Sequence, residues 1–81
     1  MKRMNEGKNY NNQILLGKKI RFLRKKRRWT VEVLSLETGI NRNYICDIEN
    51  GRRNPTLQIL EKFAKAFNIS LKELFDFELL N

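Results

Sequence analysis

Apolar residues recur every three or four positions along most of the chain, and this spacing predicts helices joined by short turns. Leu16, Ile20 and Leu23 form one apolar stripe, which predicts a first helix over about residues 14–27. A second stripe predicts a fourth helix that ends at Phe67 and turns inward Leu60, Phe63, Ala64 and Phe67. No segment alternates apolar and polar residues between hairpin turns, so we expect no strand.

Capping residues mark the other boundaries. Thr30 and Gly39 are suited to begin and end a second helix, because a threonine hydroxyl caps free N–H groups and glycine adopts the left-handed stop conformation. Asn41 and Thr56 are the expected caps of the third and fourth helices, and Ser70 opens a capping box for a fifth. The pattern therefore predicts five short helices.

The first 13 residues are polar and rich in asparagine, and they have no apolar period. Such a segment buries too little surface to offset the entropy lost on ordering, so we expect residues 1–13 to form a flexible arm. Residues 14–81 are then the folded domain. A domain this small is only marginally stable alone, which favours a partner subunit.

The formal net charge is +8, and the positive charge is concentrated near the first helix. Eight Lys or Arg and no acidic residue lie between Ile14 and Trp29. A field of this sign indicates a polyanionic partner, either nucleic acid or an anionic surface. The basic run lacks interleaved apolar residues on one face, so we expect no membrane partner.

The cysteine and histidine content excludes several kinds of site. One cysteine, Cys46, and no histidine argue against a disulfide framework, a Cys/His zinc site and a histidine-based catalytic triad. We therefore expect no metal, no cofactor and no catalytic residues. A lone cysteine and the lack of an export signal indicate the cytoplasm. Cys46 could be an oxidation switch or simply a small residue that fits.

The second and third predicted helices are joined by a glycine turn, as in a helix-turn-helix, where one helix crosses the DNA backbone and the next enters the major groove. Further matching segments are LGxxIRxLR at residues 16–24, TxExL at 30–34, GINRNYICDIENGRRNPT at 39–56 and AKAFNISLKELF at 64–75. Residues 16–75 thus resemble the Xre-type family of lambda-repressor-like (Cro/cI) domains. The resemblance implies an all-α fold of five helices and a DNA-binding regulator of transcription that is not an enzyme.

Residues 42–50 are the predicted recognition helix. Helical spacing turns Ile45, Ile48 and Glu49 inward, which leaves the opposite face for DNA. Family members contact base edges with the first turn of this helix and with a position one turn later. The implied base contacts are Arg42, Asn43, Tyr44 and Asp47.

These four candidates differ in chemistry. Arg42 suits the two acceptors of guanine, and Asn43 suits adenine. The Asp47 carboxylate only accepts hydrogen bonds, so near phosphates it needs a cytosine amino group or a neighbouring arginine. Tyr44 flanks the face and could equally pack against a neighbouring side chain.

The resemblance also assigns residues outside the base-reading face. Implied phosphate contacts are Thr30, Asn50, Arg52, Arg53 and Asn54, which would position the protein without specifying sequence. Arg24 and Glu49 are implied to form a structural ion pair. Residues 25–28 are then expected to be a solvated basic face that steers association.

Two positions in the second predicted helix depart from the family pattern. Val31 stands where the family usually has glutamine, so one backbone anchor is expected to be missing. Ser35 replaces the usual alanine, and we expect its hydroxyl to bond back to the Val31 carbonyl.

Apolar residues on two surfaces suggest protein partners. In the family, the fifth helix and the segment after it often form a two-fold contact, which implies a homodimer through residues 69–81 and a palindromic operator. The candidate dimer residues are Leu71, Leu74, Phe75, Phe77, Leu79 and Leu80. Val33 and Leu36 face outward on the second helix and could contact RNA polymerase, although scattered exposed apolar residues are also normal.

Within the family, restriction-modification controller proteins are similar to this chain in size and in the NRNYICDIE segment. A phage-type repressor is a competing hypothesis. Another is an antitoxin-like module whose main role is to bind a protein partner.

Overall fold

The computed structural model describes residues 8–78, and its elements follow the predicted order. They are α1 (Lys8–Lys26), α2 (Val31–Thr38), α3 (Arg42–Glu49), α4 (Leu57–Phe67) and α5 (Leu71–Leu74). No strand occurs between residues 8 and 78. The predicted all-α fold of five helices is confirmed.

Side chains cap the N-termini of α2 to α5, each accepting a hydrogen bond from a backbone N–H in the first turn. The sequence predicted all four caps: Thr30, Asn41, Thr56 and Ser70. Ser70 also forms the predicted capping box with Glu73. Gly39 ends α2 at φ 74°, in the left-handed region that glycine adopts without a steric cost.

The first helix begins at Lys8, six residues before the predicted boundary at residue 14. One reason is a tertiary contact that periodicity does not reveal: the Gln13 Nε2 group donates to the Gly51 carbonyl at 3.0 Å. Residues 8–13 of the predicted arm are therefore helical. The rest of the predicted arm, residues 1–7, lies outside the described residues, as do residues 79–81.

The core contains residues from all five helices. Its fully buried side chains are Ile20, Leu34, Ile45, Ile48, Phe63, Phe67 and Leu74. The predicted stripes of α1 and α4 thus face inward. Trp29 closes one end of the core by stacking on Phe67, with ring centroids 5.9 Å apart.

The C-terminal segment is more deeply buried than predicted. Leu74 is 0 % exposed, so it belongs to the core of its own protomer and has no surface to offer a partner. Leu71 and Phe77 are half-buried against the same core, whereas Phe75 is 45 % exposed. The prediction of Leu74 as a dimer contact is wrong, because periodicity does not distinguish a core position from an interface position at the end of a short helix. Leu79 and Leu80 lie outside the described residues.

Arg27 is not part of a solvated basic face, as was predicted for residues 25–28. Its guanidinium donates to the carbonyls of Leu23 and Phe67 and lies 4.9 Å from the centre of the Phe67 ring. It therefore joins the end of α1 to the end of α4. Lys25, Lys26 and Arg28 remain exposed.

α1 and α3 meet at Gly17 with no room for a side chain. A Cβ atom built on Gly17 would lie 2.2 Å from the Ile48 carbonyl oxygen and 2.9 Å from that of Glu49. Both contacts are backbone atoms at the C-terminal end of α3, which cannot move aside like a flexible side chain. The close crossing therefore fixes where α3 lies relative to the core.

Replacing Gly17 with alanine should destabilise the domain by about 1–3 kcal/mol, because overpacking forces backbone shifts. Helix propensity alone would have the opposite sign, stabilising by roughly 0.5–1 kcal/mol. Urea denaturation followed by circular dichroism measures the difference. Lys18→Ala, at the next and exposed position of α1, is the control. A Gly17→Ala midpoint equal to or above that of wild type would contradict the close crossing.

Candidate nucleic-acid interface

The turn between α2 and α3 is fixed by hydrogen bonds to the backbone of Ile40. The Ser35 hydroxyl donates to the Ile40 carbonyl at 2.6 Å, and the Thr38 hydroxyl accepts from the Ile40 N–H at 3.1 Å. The prediction that the Ser35 hydroxyl bonds to the Val31 carbonyl is wrong. The hydroxyl donates instead to the Ile40 carbonyl, which lies in the turn and outside the helix. The turn thus sets the angle at which α3 leaves α2.

α3 has one buried face and one open face. Ile45, Ile48 and Glu49 are buried, as helical spacing predicted. Arg42, Asn43 and Asn50 are exposed, while Tyr44, Cys46 and Asp47 are half-buried. Within α3 itself, the exposed residues are therefore Arg42 and Asn43, both in its first turn.

A buried ion pair holds the C-terminal end of α3 against α1. Arg24 Nε lies 2.7 Å from Glu49 Oε2, and Nη2 lies 3.0 Å from Oε1, so the contact is bidentate. The third nitrogen, Nη1, donates to the Trp29 carbonyl at 2.9 Å. The side chains are 10 % and 5 % exposed. The hydrogen bond to Glu49 raises the pKa of Arg24 above its ordinary value.

Breaking this pair from one side should cost about 3–5 kcal/mol, because a buried charge would be left without a partner. We expect Glu49→Leu to show this loss in equilibrium unfolding. The double variant Arg24→Met/Glu49→Leu removes both charges and should recover part of the stability that Glu49→Leu alone loses. Strictly additive losses from Arg24→Met and Glu49→Leu would contradict the coupling.

A second ion pair crosses the helix-turn-helix at its exposed edge. Arg42 Nε donates to Glu32 Oε2 at 2.6 Å, and both side chains are more than half exposed, at 53 % and 62 %. The hydrogen bond from Arg42 lowers the pKa of Glu32 and, reciprocally, raises the pKa of Arg42. Sequence analysis missed Glu32 as an interface residue, because only the turn brings α2 and α3 close enough for positions ten apart to meet.

The loop that follows α3 presents two arginines beside the open face. Gly51, at φ 73°, closes α3: its N–H donates to the Ile48 carbonyl at 3.0 Å, and the Arg52 N–H donates to the Asp47 carbonyl at 2.8 Å. Arg52, Arg53 and Asn54 are exposed immediately after this stop. We call residues 52–54 the arginine loop.

Two of the predicted base-contact residues face the arginine loop. Asp47 Oδ2 lies 3.5 Å from Arg53 Nε, and Asp47 Oδ1 lies 3.8 Å from Arg52 Nη1. The Arg53 guanidinium lies 4.6 Å from the centre of the Tyr44 ring. The sequence predicted that the Asp47 carboxylate needs either a cytosine amino group or a neighbouring arginine, and the structure places two arginines beside it. Tyr44 and Asp47 therefore lie beside the loop arginines, while Asn43 and Arg42, which is bound to Glu32 through Nε, are exposed.

The remaining predicted phosphate contacts lie at helix ends. Thr30 Oγ1 accepts from the Val33 N–H at 3.1 Å, which leaves the hydroxyl hydrogen able to donate to a phosphate. The Asn50 Nδ2 group already donates to the Cys46 carbonyl at 2.8 Å, so one of its two N–H donors is occupied. Both residues are exposed, Thr30 as the N-cap of α2 and Asn50 as the C-cap of α3.

Between residues 8 and 78 no cluster of His, Cys, Asp and Glu could hold a metal ion. Nor is any helix in that range long and apolar enough to cross a membrane.

Comparison with known proteins identifies the family. The helix-turn-helix family model HTH_3 matches residues 20–74, a range that runs from the middle of α1 to the end of α5 and includes the whole open face. The chain belongs to this Xre-type helix-turn-helix family. The resemblance stated from the sequence motifs is confirmed, as is the interpretation of the chain as a non-enzymatic, DNA-binding regulator.

Three relatives of this helix-turn-helix protein are informative. Control protein C.BamHI of Bacillus amyloliquefaciens is 41 % identical over 68 residues, which cover 83 % of this chain and 84 % of that protein. The transcriptional regulator SlrR of Bacillus subtilis is 35 % identical, but the match covers only 43 % of its length. The crystal structure of the restriction-modification controller C.AhdI from Aeromonas hydrophila has a TM-score of 0.77 and 32 % identity, and the match covers 98 % of that chain and 80 % of this one.

Proposed function

We propose that this helix-turn-helix protein controls transcription by placing α3 in the major groove of an operator. The observation that supports this most is the exposed first turn of α3, where Arg42 and Asn43 project from a helix whose other end is fixed by a buried ion pair. A helix held in this way can present its N-terminal side chains to base edges without reorganising. The protein would act where operator DNA lies, in the cytoplasm of a bacterium.

The contacts divide into base readers and phosphate anchors. Arg42 binds the O6 and N7 acceptors of a guanine, and Asn43 binds the N6 and N7 groups of an adenine. Phosphates are bound by Thr30, Asn50, Arg52, Arg53 and Asn54. Asp47 and Tyr44, which were base-contact candidates in the sequence, take a supporting role by orienting Arg53.

Substitutions at Arg42 and Arg53 separate the two kinds of contact. Arg42→Ala should lose roughly 5- to 150-fold in operator affinity and relax the preference at one base pair, because a bidentate base contact is removed. Arg53→Ala should weaken binding to all sequences alike and reduce the slope of log K against log salt by about one. Fluorescence anisotropy across a salt series measures both. A uniform loss in both variants would contradict Arg42 as a base reader.

Within the family, we assign the protein to the restriction-modification controllers. The alignments cover 84 % of C.BamHI and 98 % of C.AhdI, but only 43 % of SlrR. An alternative is a phage-type repressor, or an antitoxin-like module that mainly binds a protein. Selection of bound sites from random duplex DNA separates the DNA-binding regulators from the antitoxin-like module, since a controller or a phage-type repressor must yield one defined motif and a module specialised for protein partners would yield none.

We further propose that the protein acts as a homodimer through residues 69–81. Phe75 is 45 % exposed at the end of α5, and its ring packs against the half-buried Phe77 with centroids 6.1 Å apart. A second copy would cover this aromatic surface. Two recognition helices would then lie about one DNA turn, ~34 Å, apart, and the operator would be a palindrome.

Phe75→Ser should shift the protein from dimer to monomer in sedimentation velocity, because it removes the aromatic ring that the second subunit would cover. Operator binding should weaken as a consequence. Leu36→Ser is the matched control, because Leu36 is also an exposed apolar residue, at 84 %, but lies on α2. An unchanged sedimentation coefficient for Phe75→Ser would place the dimer contact elsewhere or argue for a monomer.

The apolar surface of α2 is a candidate contact for RNA polymerase. Leu36 is 84 % exposed and Val33 is half-buried, with the exposed carboxylate of Glu37 nearby on the same helix. An activator that holds polymerase through this surface should lose activation, but not DNA affinity, when Val33 and Leu36 are both changed to serine. A promoter assay with full activation by this double variant excludes the contact.

A further inference from the structure

We propose that Glu32 is a specificity-determining positioning residue, which holds the Arg42 guanidinium through Nε so that its terminal nitrogens meet the base. The inference rests on the proposed base contact by Arg42. It concerns a residue of α2 that does not itself need to touch the base.

The geometry of the pair leaves the base-reading end of Arg42 available. A guanidinium has five N–H donors, one on Nε and four on the two terminal nitrogens. The Glu32 carboxylate takes the Nε donor at 2.6 Å. Among residues 8–78, no hydrogen bond from an Arg42 terminal nitrogen is formed. The fork that matches the O6 and N7 acceptors of guanine is therefore unoccupied.

The positions of the two residues make the contact an inter-helical support. Arg42 is the first residue of α3, and Glu32 is the second residue of α2. Hydrogen bonds of Ser35 and Thr38 to Ile40 fix the turn between these helices. The carboxylate thus stands at a set distance from the start of α3. Restricting the long arginine side chain before binding reduces the entropy lost when it meets the base.

The negative charge of Glu32 has opposite effects on overall DNA affinity and on discrimination between bases. A carboxylate near phosphates opposes DNA binding, so an isolated Glu32 would weaken affinity for every sequence. Paired with Arg42, it is neutralised where the arginine is held towards guanine. A base without the two acceptors offers no partner to the fork, and the arginine cannot swing to a phosphate without leaving its carboxylate. Glu32 therefore adds discrimination at the cost of overall affinity.

The chain offers a matched control in Glu37. It is also an exposed glutamate on α2, but it has no ion-pair partner within the described residues. Glu32→Ala and Glu37→Ala each remove one negative charge from the same helix. Both should tighten binding to random duplex DNA by a similar factor, which isolates the general charge effect from the effect on Arg42.

The test measures affinities for the selected operator, for operators changed at each base pair in turn, and for random duplex. We expect Glu32→Ala to reduce discrimination by about 3- to 10-fold at the base pair whose preference Arg42→Ala abolishes, and at no other position. Glu32→Gln keeps a hydrogen-bond acceptor without the charge, so its discrimination at that base pair should fall between those of wild type and Glu32→Ala. Glu37→Ala should leave every preference unchanged. Thermal unfolding of each variant controls for folding.

Two results would overturn the inference. If Glu32→Ala tightens operator binding more than random-duplex binding, Glu32 competes with DNA for Arg42 instead of positioning it. If Glu32→Ala leaves discrimination at that base pair unchanged while Arg42→Ala abolishes it, Arg42 reads the base without help from Glu32. If Arg42→Ala keeps the wild-type preference at every base pair, the result would instead overturn the base contact on which the inference depends.

Discussion

The position of α3, the proposed recognition helix, depends on one buried interaction, the bidentate ion pair between Arg24 and Glu49. It joins the last turn of α1 to the last turn of α3, and a third hydrogen bond from Arg24 reaches the Trp29 carbonyl. Such a pair offsets its desolvation only when its geometry is good and its other polar atoms have partners, and here each of the three Arg24 nitrogens donates a hydrogen bond. Beside it, the contact of Gly17 with the α3 backbone allows no adjustment. α3 is thus held by its C-terminal half, and its N-terminal half is left to project.

At the exposed side of the candidate interface, acidic residues lie beside the arginines and restrict their side chains. Asp47 lies between Arg52 and Arg53, and Glu32 holds Arg42. In a protein of net charge +8, such carboxylates reduce the non-specific attraction to DNA, and they restrict side chains that would otherwise sample many rotamers. The surface therefore combines a strong general field with a few arginines in defined positions, which suits a protein that must find one site among many.

The parts of the fold that the sequence predicted are those determined locally. Thr30, Asn41, Thr56 and Ser70 cap their helices with hydrogen bonds that span two or three residues, so the local sequence contains the whole signal. Contacts between distant segments were missed or misassigned. Ser35 bonds across a turn, Arg27 reaches Phe67 on α4, and Gln13 extends α1 by bonding to Gly51. Leu74 looks like an interface residue in the sequence because its helix is too short for periodicity to show which side is covered. The motif resemblance indicated Arg24 and Glu49, which spacing alone does not connect.

The attachment of Gly51 to α1 has a consequence for motion. Gly51 accepts a hydrogen bond from Gln13 and packs against Ile14, and the arginine loop begins at the next residue. Opening of the early turns of α1 would therefore release the segment that leads into the loop, and the two should exchange their amide hydrogens as one cooperative unit. With the arginine loop binding phosphates as proposed above, sequence changes near the start of α1 would alter that binding through the stability of the loop.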